Sequence, residues 1–328
     1  MGVQLRGFEA DDREAVMELR RLTFEGLDQD WENRRWDWEF ERNPNQRDDL
    51  PFTWLLEDGP RVVGNFGMIP VQVKIGEQTA QAYDGIDLCL HPEYQGQGLA
   101  NPLADAFMDS AHGQFPFVTA PVPVTTHLLV QRGGTLIGGG TEEILWIYES
   151  GVGNAESRVP NRRVAEIRGF DESHDELWRR VSPAYPLLIV RDSRYLNWRY
   201  RDYPGGRPVL LESRDDAGVL GGFAVFQSDR AEDRAYLLEL FCAPDDAETA
   251  RALLLRAQER VTSEGLSRLA IVTRVPLLQA VLREVGFSAH GGELPAYVGK
   301  VNVPGAGVDA GQWYVSLGDG DGLFSVHE

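Results

Sequence analysis

The chain repeats itself, and the repetition limits its fold more than any single motif does. Leu5-Arg6-Gly7-Phe8 is echoed by Ile167-Arg168-Gly169-Phe170, and each precedes an acidic helix start. Trp38-Glu39-Phe40 with Pro44 returns as Trp198-Arg199-Tyr200 with Pro204, both with the spacing W-x-[FY]-x-x-x-P. Leu55-Leu56-Glu57 returns as Leu210-Leu211-Glu212, and Val63-Gly64-Asn65-Phe66 as Leu220-Gly221-Gly222-Phe223. Asp87-Leu88-Cys89-Leu90-His91-Pro92 returns as Glu239-Leu240-Phe241-Cys242-Ala243-Pro244. The separation drifts from 162 to 152 residues while the order is kept, as a duplication with small insertions and deletions requires. This predicts two copies of one domain, over 1–150 and 164–303. A polar, Gly/Pro-containing linker joins them over 151–163. A tail over 304–328 follows, and its Trp313, Tyr314, Leu317 and Phe324 predict that part of it docks.

Composition agrees with two ordinary domains: 328 residues, 42% of them hydrophobic and 25% charged. No run approaches the roughly 18–20 apolar residues that cross a bilayer. The start, Met1-Gly2-Val3-Gln4-Leu5-Arg6, lacks the basic region and apolar core of a signal peptide. Two cysteines, Cys89 and Cys242, are too few for a disulfide framework or a zinc ribbon. The expectation is a soluble cytoplasmic protein with no membrane partner. A net charge of −19 argues against a nucleic-acid surface, which needs concentrated positive charge, and permits an amine as substrate.

Within the first copy, Val3–Phe8 reads as a strand. The following helix, capped by Asp11 or Asp12, carries Val16, Leu19, Leu22 and Phe24 at roughly helical spacing. Asn43-Pro44 stops the aromatic segment Trp31–Arg42. Strands follow over Phe52–Glu57, Arg61–Lys74 (bent at Gly67 or Pro70) and Gln81–Leu90. A glycine-containing turn then leads into a helix over Asn101–His112, a strand over Phe115–Pro121, a short helix over Val124–Arg132 and a closing strand over Leu145–Glu149. Strand, glycine turn and helix N-terminus together form an anion cradle, because glycines let the backbone approach and the first helical N–H groups are unpaired. The patterns of a P-loop and of a dinucleotide fingerprint are both absent.

The run Leu88-Cys89-Leu90-His91-Pro92-Glu93-Tyr94-Gln95-Gly96-Gln97-Gly98-Leu99-Ala100 resembles the acyl-CoA motif of the GNAT acyltransferases, [QR]-x-x-G-x-[GA], here Gln95, Gly98 and Ala100. The resemblance covers the first copy. The second shares its layout but not its motif, so the whole looks like a tandem GNAT protein. It implies an α/β fold built twice, each a mixed, mostly antiparallel sheet flanked by helices. It also implies acetyl-CoA as cosubstrate, no metal, and direct transfer to a small-molecule amine in a ternary complex. The backbone amides of Gln97 to Ala100 would hold the pyrophosphate, and Leu88, Cys89 and Leu90 would pair with the pantetheine arm. Gly96 belongs to the same cradle, and Gln95 would brace it. In the second copy Asp245, Asp246 and Glu248 stand where phosphate would lie, and no glycine does, so that copy should not bind CoA there.

For the base, Asp84 lies eleven residues before Gln95, like the glutamate of histone-acetyltransferase members of the family. Asp87 is the alternative, although Glu239 at its counterpart favours a structural role. The tyrosine that many members use to protonate the thiolate is replaced by Leu129, and His127 on the same helix could substitute. Cys89, without a histidine partner, reads as core rather than nucleophile. Trp38 reads as core, whereas Trp31 and Trp36 are freer to line an acceptor pocket. An amino sugar is the first expectation for the acceptor. Two other readings stay open. One is a non-catalytic acyl-CoA-binding scaffold, which the missing tyrosine favours. The other is an aminoacyl transferase using charged tRNA, which the intact cradle and the acidic charge oppose. A homodimer is compatible with the sequence.

Overall fold

The structure, a computed structural model, describes residues 2–24, 27–47, 51–109, 115–119, 121–137, 145–151, 161–290, 297–299 and 312–320. Most of the expected linker (152–160), the expected helix end at His112, and Phe324 lie outside them. The chain divides into two compact units. The first is Met1–Val73, Gln78–Ile137 and Ala296–Ala306; the second is Lys74–Glu77, Gly138–Pro295 and Gly307–Glu328.

In chain order the first half supplies β1 (Gln4–Gly7), α1 (Arg13–Thr23), α2 (Gln29–Trp36), β2 (Phe52–Asp58), β3 (Arg61–Ile75), β4 (Gln78–Leu90), α3 (Ala100–Asp109), β5 (Phe115–Thr119), α4 (Pro123–Val130) and β6 (Thr135–Ile137). Then come β7 (Leu145–Glu149), β8 (Arg163–Ile167), α5 (Glu172–Val181), β9 (Leu187–Ile189), α6 (Ser193–Leu196), β10 (Val209–Arg214), β11 (Leu220–Asp229) and β12 (Arg234–Cys242). The last elements are α7 (Ala247–Glu264), β13 (Arg268–Val272), α8 (Pro276–Glu284), β14 (Ser288–His290) and β15 (Tyr297–Gly299).

Along its main path, with β9 joined to β3 off it, the first sheet runs β1-β2-β3-β4-β5-β15-β6, and the second, read in the matching direction, β8-β10-β11-β12-β13-β7-β14. The two orders correspond position by position. Each sheet has one parallel step, β4–β5 and β12–β13, among antiparallel neighbours. This is the expected mixed, mostly antiparallel α/β architecture. The expected boundary at residue 150 is corrected. Leu145–Glu149 pairs with β13 and β14 in the second sheet, while Tyr297–Gly299, from the end of the second repeat, pairs with β5 and β6 in the first. Leu145–Glu149 thus joins the second sheet and Tyr297–Gly299 the first, each away from its own repeat. Local patterning cannot show this, because a strand's period says nothing about which sheet it joins.

The repeated W-x-[FY] segments fold alike. α2 is followed by one π-helical turn over Asp37–Glu41, and α6 by one over Asn197–Arg201. Each is closed by an N–H reaching five residues back, Arg42 to Asp37 at 2.8 Å and Asp202 to Asn197 at 2.9 Å. The wider turn sends both aromatic residues of each motif inward, so Trp38, Phe40, Trp198 and Tyr200 are all buried. In α1 the buried stripe is Val16, Met17, Leu19 and Arg20; Leu22, expected inside, is exposed, and the charged Arg20 takes the inward place. β3 runs without interruption through Gly67 and Pro70, where a bend was expected.

The first unit's core packs Leu56, Val63, Phe66 and Met68 against Leu103, Phe107 and Met108 of α3, with Leu129 of α4. Gly85, in mid-β4, lets this helix come close. A Cβ there would lie 2.9 Å from side-chain atoms of Phe107, Phe66 and Val118 at once. We expect Gly85→Val to lower the free energy of unfolding by about 2 kcal/mol, as overpacking of a filled core does. Urea denaturation measures this, and an unchanged midpoint would contradict the packing described.

Candidate functional site

The site begins where two strands part. β4 and β5 pair only at Ala82–Phe115, Tyr83–Pro116 and Asp84–Phe117, yet β4 runs on to Leu90. A change of backbone direction follows the parting. Asp87 has φ +50°, an uncommon conformation for a residue with a Cβ. Three groups hold it there. Asn65 Nδ2 donates to the Asp87 carbonyl at 2.9 Å, and the Asp87 carboxylate forms an ion pair with Arg20 Nη2 at 2.9 Å and accepts from Arg35 Nη2 at 3.1 Å. Past the bend, Leu88 and Leu90 pack against the α3-side core and Cys89 is buried.

The glycine loop closes the far end of β4. His91 and Pro92–Tyr94 form a tight turn, tied to the β2–β3 hairpin by Tyr94 Oη donating to Asp58 at 2.8 Å. Gln95 Nε2 donates to the Leu90 carbonyl at 3.1 Å, so this side chain ties the loop to the end of β4. Gln97 Nε2 donates to the Glu93 carbonyl at 2.9 Å. Gly96 (φ +73°) and Gly98 (φ +76°) take left-handed conformations that a side chain would strain. Among the described residues, the amides of Gly96, Gln97, Gly98 and Leu99 make no hydrogen bond. A Cβ at Gly96 would meet nothing within 4 Å. Open space and free amides at the start of α3 fit an anionic group, with the helix dipole adding to the attraction.

Arg132, which the sequence reading passed over, steadies this turn. It donates to the Asn101 side chain at 2.9 Å, to Asp105 at 2.7 Å and to the Leu128 carbonyl at 2.8 Å, joining the end of α4 to the start of α3. A lone arginine at a helix end gives no sequence signal for such a bridge.

Of the proposed acid–base residues, Asp84 sits at the parting point. It is buried and accepts from Thr119 N–H at 3.2 Å and Thr119 Oγ1 at 3.2 and 3.4 Å. Asp87 is corrected as a base. Burial alone would raise its pKa, but Arg20 and Arg35 outweigh burial and hold it below the usual carboxylate range. A carboxylate so stabilised accepts a proton poorly. His127 is exposed on α4, against Gln131 Nε2 at 2.8 Å, and Leu129 is fully buried core. Burial pushes the Cys89 thiol up to about 12, which removes it as a nucleophile.

Asp87 belongs to a buried cluster on α1, α2 and the π turn. Arg20 faces Glu32 at 3.0 Å and Glu39 at 3.5 Å, and Arg35 faces Glu39 at 2.6 Å. Three carboxylates thus share two guanidinium groups. Burial raises Glu39 to about 7, despite Arg35 and Arg20, and raises Glu32 as well. The sequence showed only an aromatic segment there, since charges spread over four elements carry no local pattern.

Two adjoining cavities open in the same unit. One, of about 540 Å³, is lined by Phe8, Arg13, Trp36, Phe40, Asn43 and Arg47; Trp36 was expected to line a pocket. The other, of about 170 Å³, shares Arg47 and reaches Tyr83, the residue before Asp84.

In the second unit the corresponding strand is finished differently. β12 pairs with β13 only through Leu237. Beyond it, Tyr314 Oη donates to the Leu240 carbonyl at 2.6 Å and Tyr185 Oη to the Cys242 carbonyl at 2.8 Å. Residues 312–320 of the tail thus pack onto this unit, with Trp313, Tyr314 and Leu317 buried. Asp246 caps α7 through Thr249 N–H at 3.0 Å, so a carboxylate occupies the position that the free amides have in the first unit.

Residues 4–121 match the family model of an acetyltransferase (GNAT) domain. No curated protein sequence matches the chain. Over 92% of its length the fold is similar to an Enterococcus faecalis V583 protein described as a probable N-acyltransferase (TM-score 0.69, 11% identity, 72% of that chain). It is equally similar in extent to a GCN5-related N-acetyltransferase from Anabaena variabilis ATCC 29413 (TM-score 0.66, 10% identity, 92% of this chain and 73% of that one). Saccharomyces cerevisiae N-myristoyltransferase with bound myristoyl-CoA shares the fold at TM-score 0.52 and 12% identity, over 90% of this chain and 82% of that one. Among the described residues, no helix is long and apolar enough to cross a membrane.

The raised pKa of Glu39 carries a sign. Its ordinary value is 4.5, so between there and about 7 the folded state binds more protons than the unfolded one. That contribution to stability is full at low pH and is lost as pH rises through 7. Glu39→Gln should therefore lose less stability than wild type between about pH 5 and pH 8. Parallel urea denaturation at the two pH values measures it, and equal losses would contradict the assignment.

Proposed function

Starting from the GNAT domain at residues 4–121, we propose that this chain is an acetyl-CoA-dependent N-acyltransferase whose donor site is the β4–β5 parting and the Gly96–Gly98 loop. The observation that carries the reading is the set of free amides from Gly96 to Leu99 at the N-terminus of α3, at the end of a strand that has lost its neighbour. The pyrophosphate would lie on those amides. The pantetheine arm would run along Leu88–Leu90 in place of the missing strand, and an amide of that stretch would face the thioester oxygen as charge develops on it.

The acceptor is a small amine, with an amino sugar the first candidate. It would enter through the cavities at Trp36, Arg47 and Tyr83, whose aromatic and polar lining suits a ring with several hydrogen-bonding groups. The neutral amine nitrogen bonds to the acyl carbon, the C–S bond breaks, and coenzyme A leaves as the thiol. Asp84, at the parting, is the carboxylate placed to take the proton that the ammonium must first lose. The second unit would not hold a donor: its strand carbonyls are capped by tyrosines and its helix start by Asp246.

Calorimetric titration with acetyl-CoA tests the reading. We expect one site per chain in wild type. Gly98→Glu puts a charge and a strained side chain at φ +76° and should weaken binding by tenfold or more, about 1.4 kcal/mol. Two sites per chain, or wild-type affinity in the variant, would count against it.

A further inference from the structure

We propose that Asp84 is a positioning residue: its side-chain oxygen, standing in for a backbone carbonyl, holds β5 beside β4 at the point where the ladder ends and so sets the mouth of the donor site. The proposal rests on the acyl-CoA reading of that mouth.

Three observations carry it. The last ladder pair is Asp84–Phe117, so the N–H of Thr119, two residues on along β5, has no β4 carbonyl to meet. It meets Asp84 Oδ1 instead, at 3.2 Å, and the Thr119 hydroxyl adds bonds of 3.2 and 3.4 Å to the same carboxylate. Both residues are buried, 6% and 4% exposed, so losing either leaves a polar group that water cannot satisfy. A side chain reaches further from its own strand than a carbonyl does.

The second unit provides the control. By the matching ladder pairs, Asp84–Phe117 and Tyr236–Ala270, Asp84 corresponds to Tyr236 and Thr119 to Val272. Tyr236 lies within the ladder, opposite Ala270, and pairing continues one step further, to Leu237 with Ile271. Tyr236 brings no carboxylate and Val272 no hydroxyl, and the glycine loop is also missing. The carboxylate–threonine pair and the cradle occur in the same unit.

The role asks for an oxygen acceptor and not for a charge, and this separates it from proton transfer. In the full chain, Asp84→Asn keeps an acceptor for Thr119 and should bind acetyl-CoA within about threefold of wild type. Asp84→Ala should weaken binding by about tenfold, the scale of one lost buried hydrogen bond. Hydrogen exchange read by mass spectrometry over residues 115–119 should show the Thr119 amide exposed in the alanine variant and protected in the asparagine variant. Wild-type binding together with a protected Thr119 amide in Asp84→Ala overturns the proposal, as does an asparagine variant as impaired as alanine. If the alanine variant does not fold, Thr119→Val takes its place; it should bind acetyl-CoA more weakly, and unchanged binding overturns the proposal. If wild type itself binds no acetyl-CoA, the donor-site reading fails, while exchange at Thr119 still decides the role of Asp84.

Discussion

The parting of β4 from β5 is the constraint on which the rest of the first unit depends. A strand inside a sheet uses its backbone N–H and C=O groups on both sides, and separating it from a neighbour leaves one side to be satisfied in some other way. The chain shows two solutions. In the first unit, Asp84 catches β5 at the edge of the parting, Gln95 takes the Leu90 carbonyl, and the loop amides beyond remain available. In the second, tyrosine hydroxyls from the tail and from Tyr185 cap the carbonyls of Leu240 and Cys242. The same strand order is left open in one unit and closed by the chain itself in the other.

Both units place a carboxylate at the same point of that strand, Asp87 in one and Glu239 in the other, and both bury it against arginine. The partners differ. Asp87 meets Arg20 from α1 and Arg35 from α2, whereas Glu239 meets Arg191 at 3.1 Å and the hydroxyls of Tyr314 and Ser316. Burying charge is costly and is tolerated only where geometry and hydrogen bonds compensate. Retaining the acid while replacing its partners points to a demand of the fold itself, and this agrees with the lowered pKa of Asp87.

Much of this was legible in the sequence. The repeat gave the two sheets and their common strand order, because Leu55-Leu56, Val63-Gly64 and Asp87-Leu88 each mark a strand with a hydrophobic signature of its own. The loop from Gln95 to Ala100 was legible because glycines at fixed spacing have few other uses. What the sequence did not show was non-local. Leu145–Glu149 was recognisable as a strand but not as a member of the second sheet. The cluster of Arg20, Glu32, Arg35, Glu39 and Asp87 draws on four elements, none of which carries the pattern alone. Thr119 gave no sign that it would meet Asp84, since the two are 35 residues apart and only a parallel step brings them together.

The central claim is that one unit, and not the other, receives the donor along its open strand. Hydrogen exchange of the full chain with and without saturating acetyl-CoA tests this most directly. The account predicts added protection at Leu88–Leu90 and at Gly96–Ala100, with none at Leu240–Thr249. Protection at Leu240–Thr249, or none at the glycine loop, would contradict it.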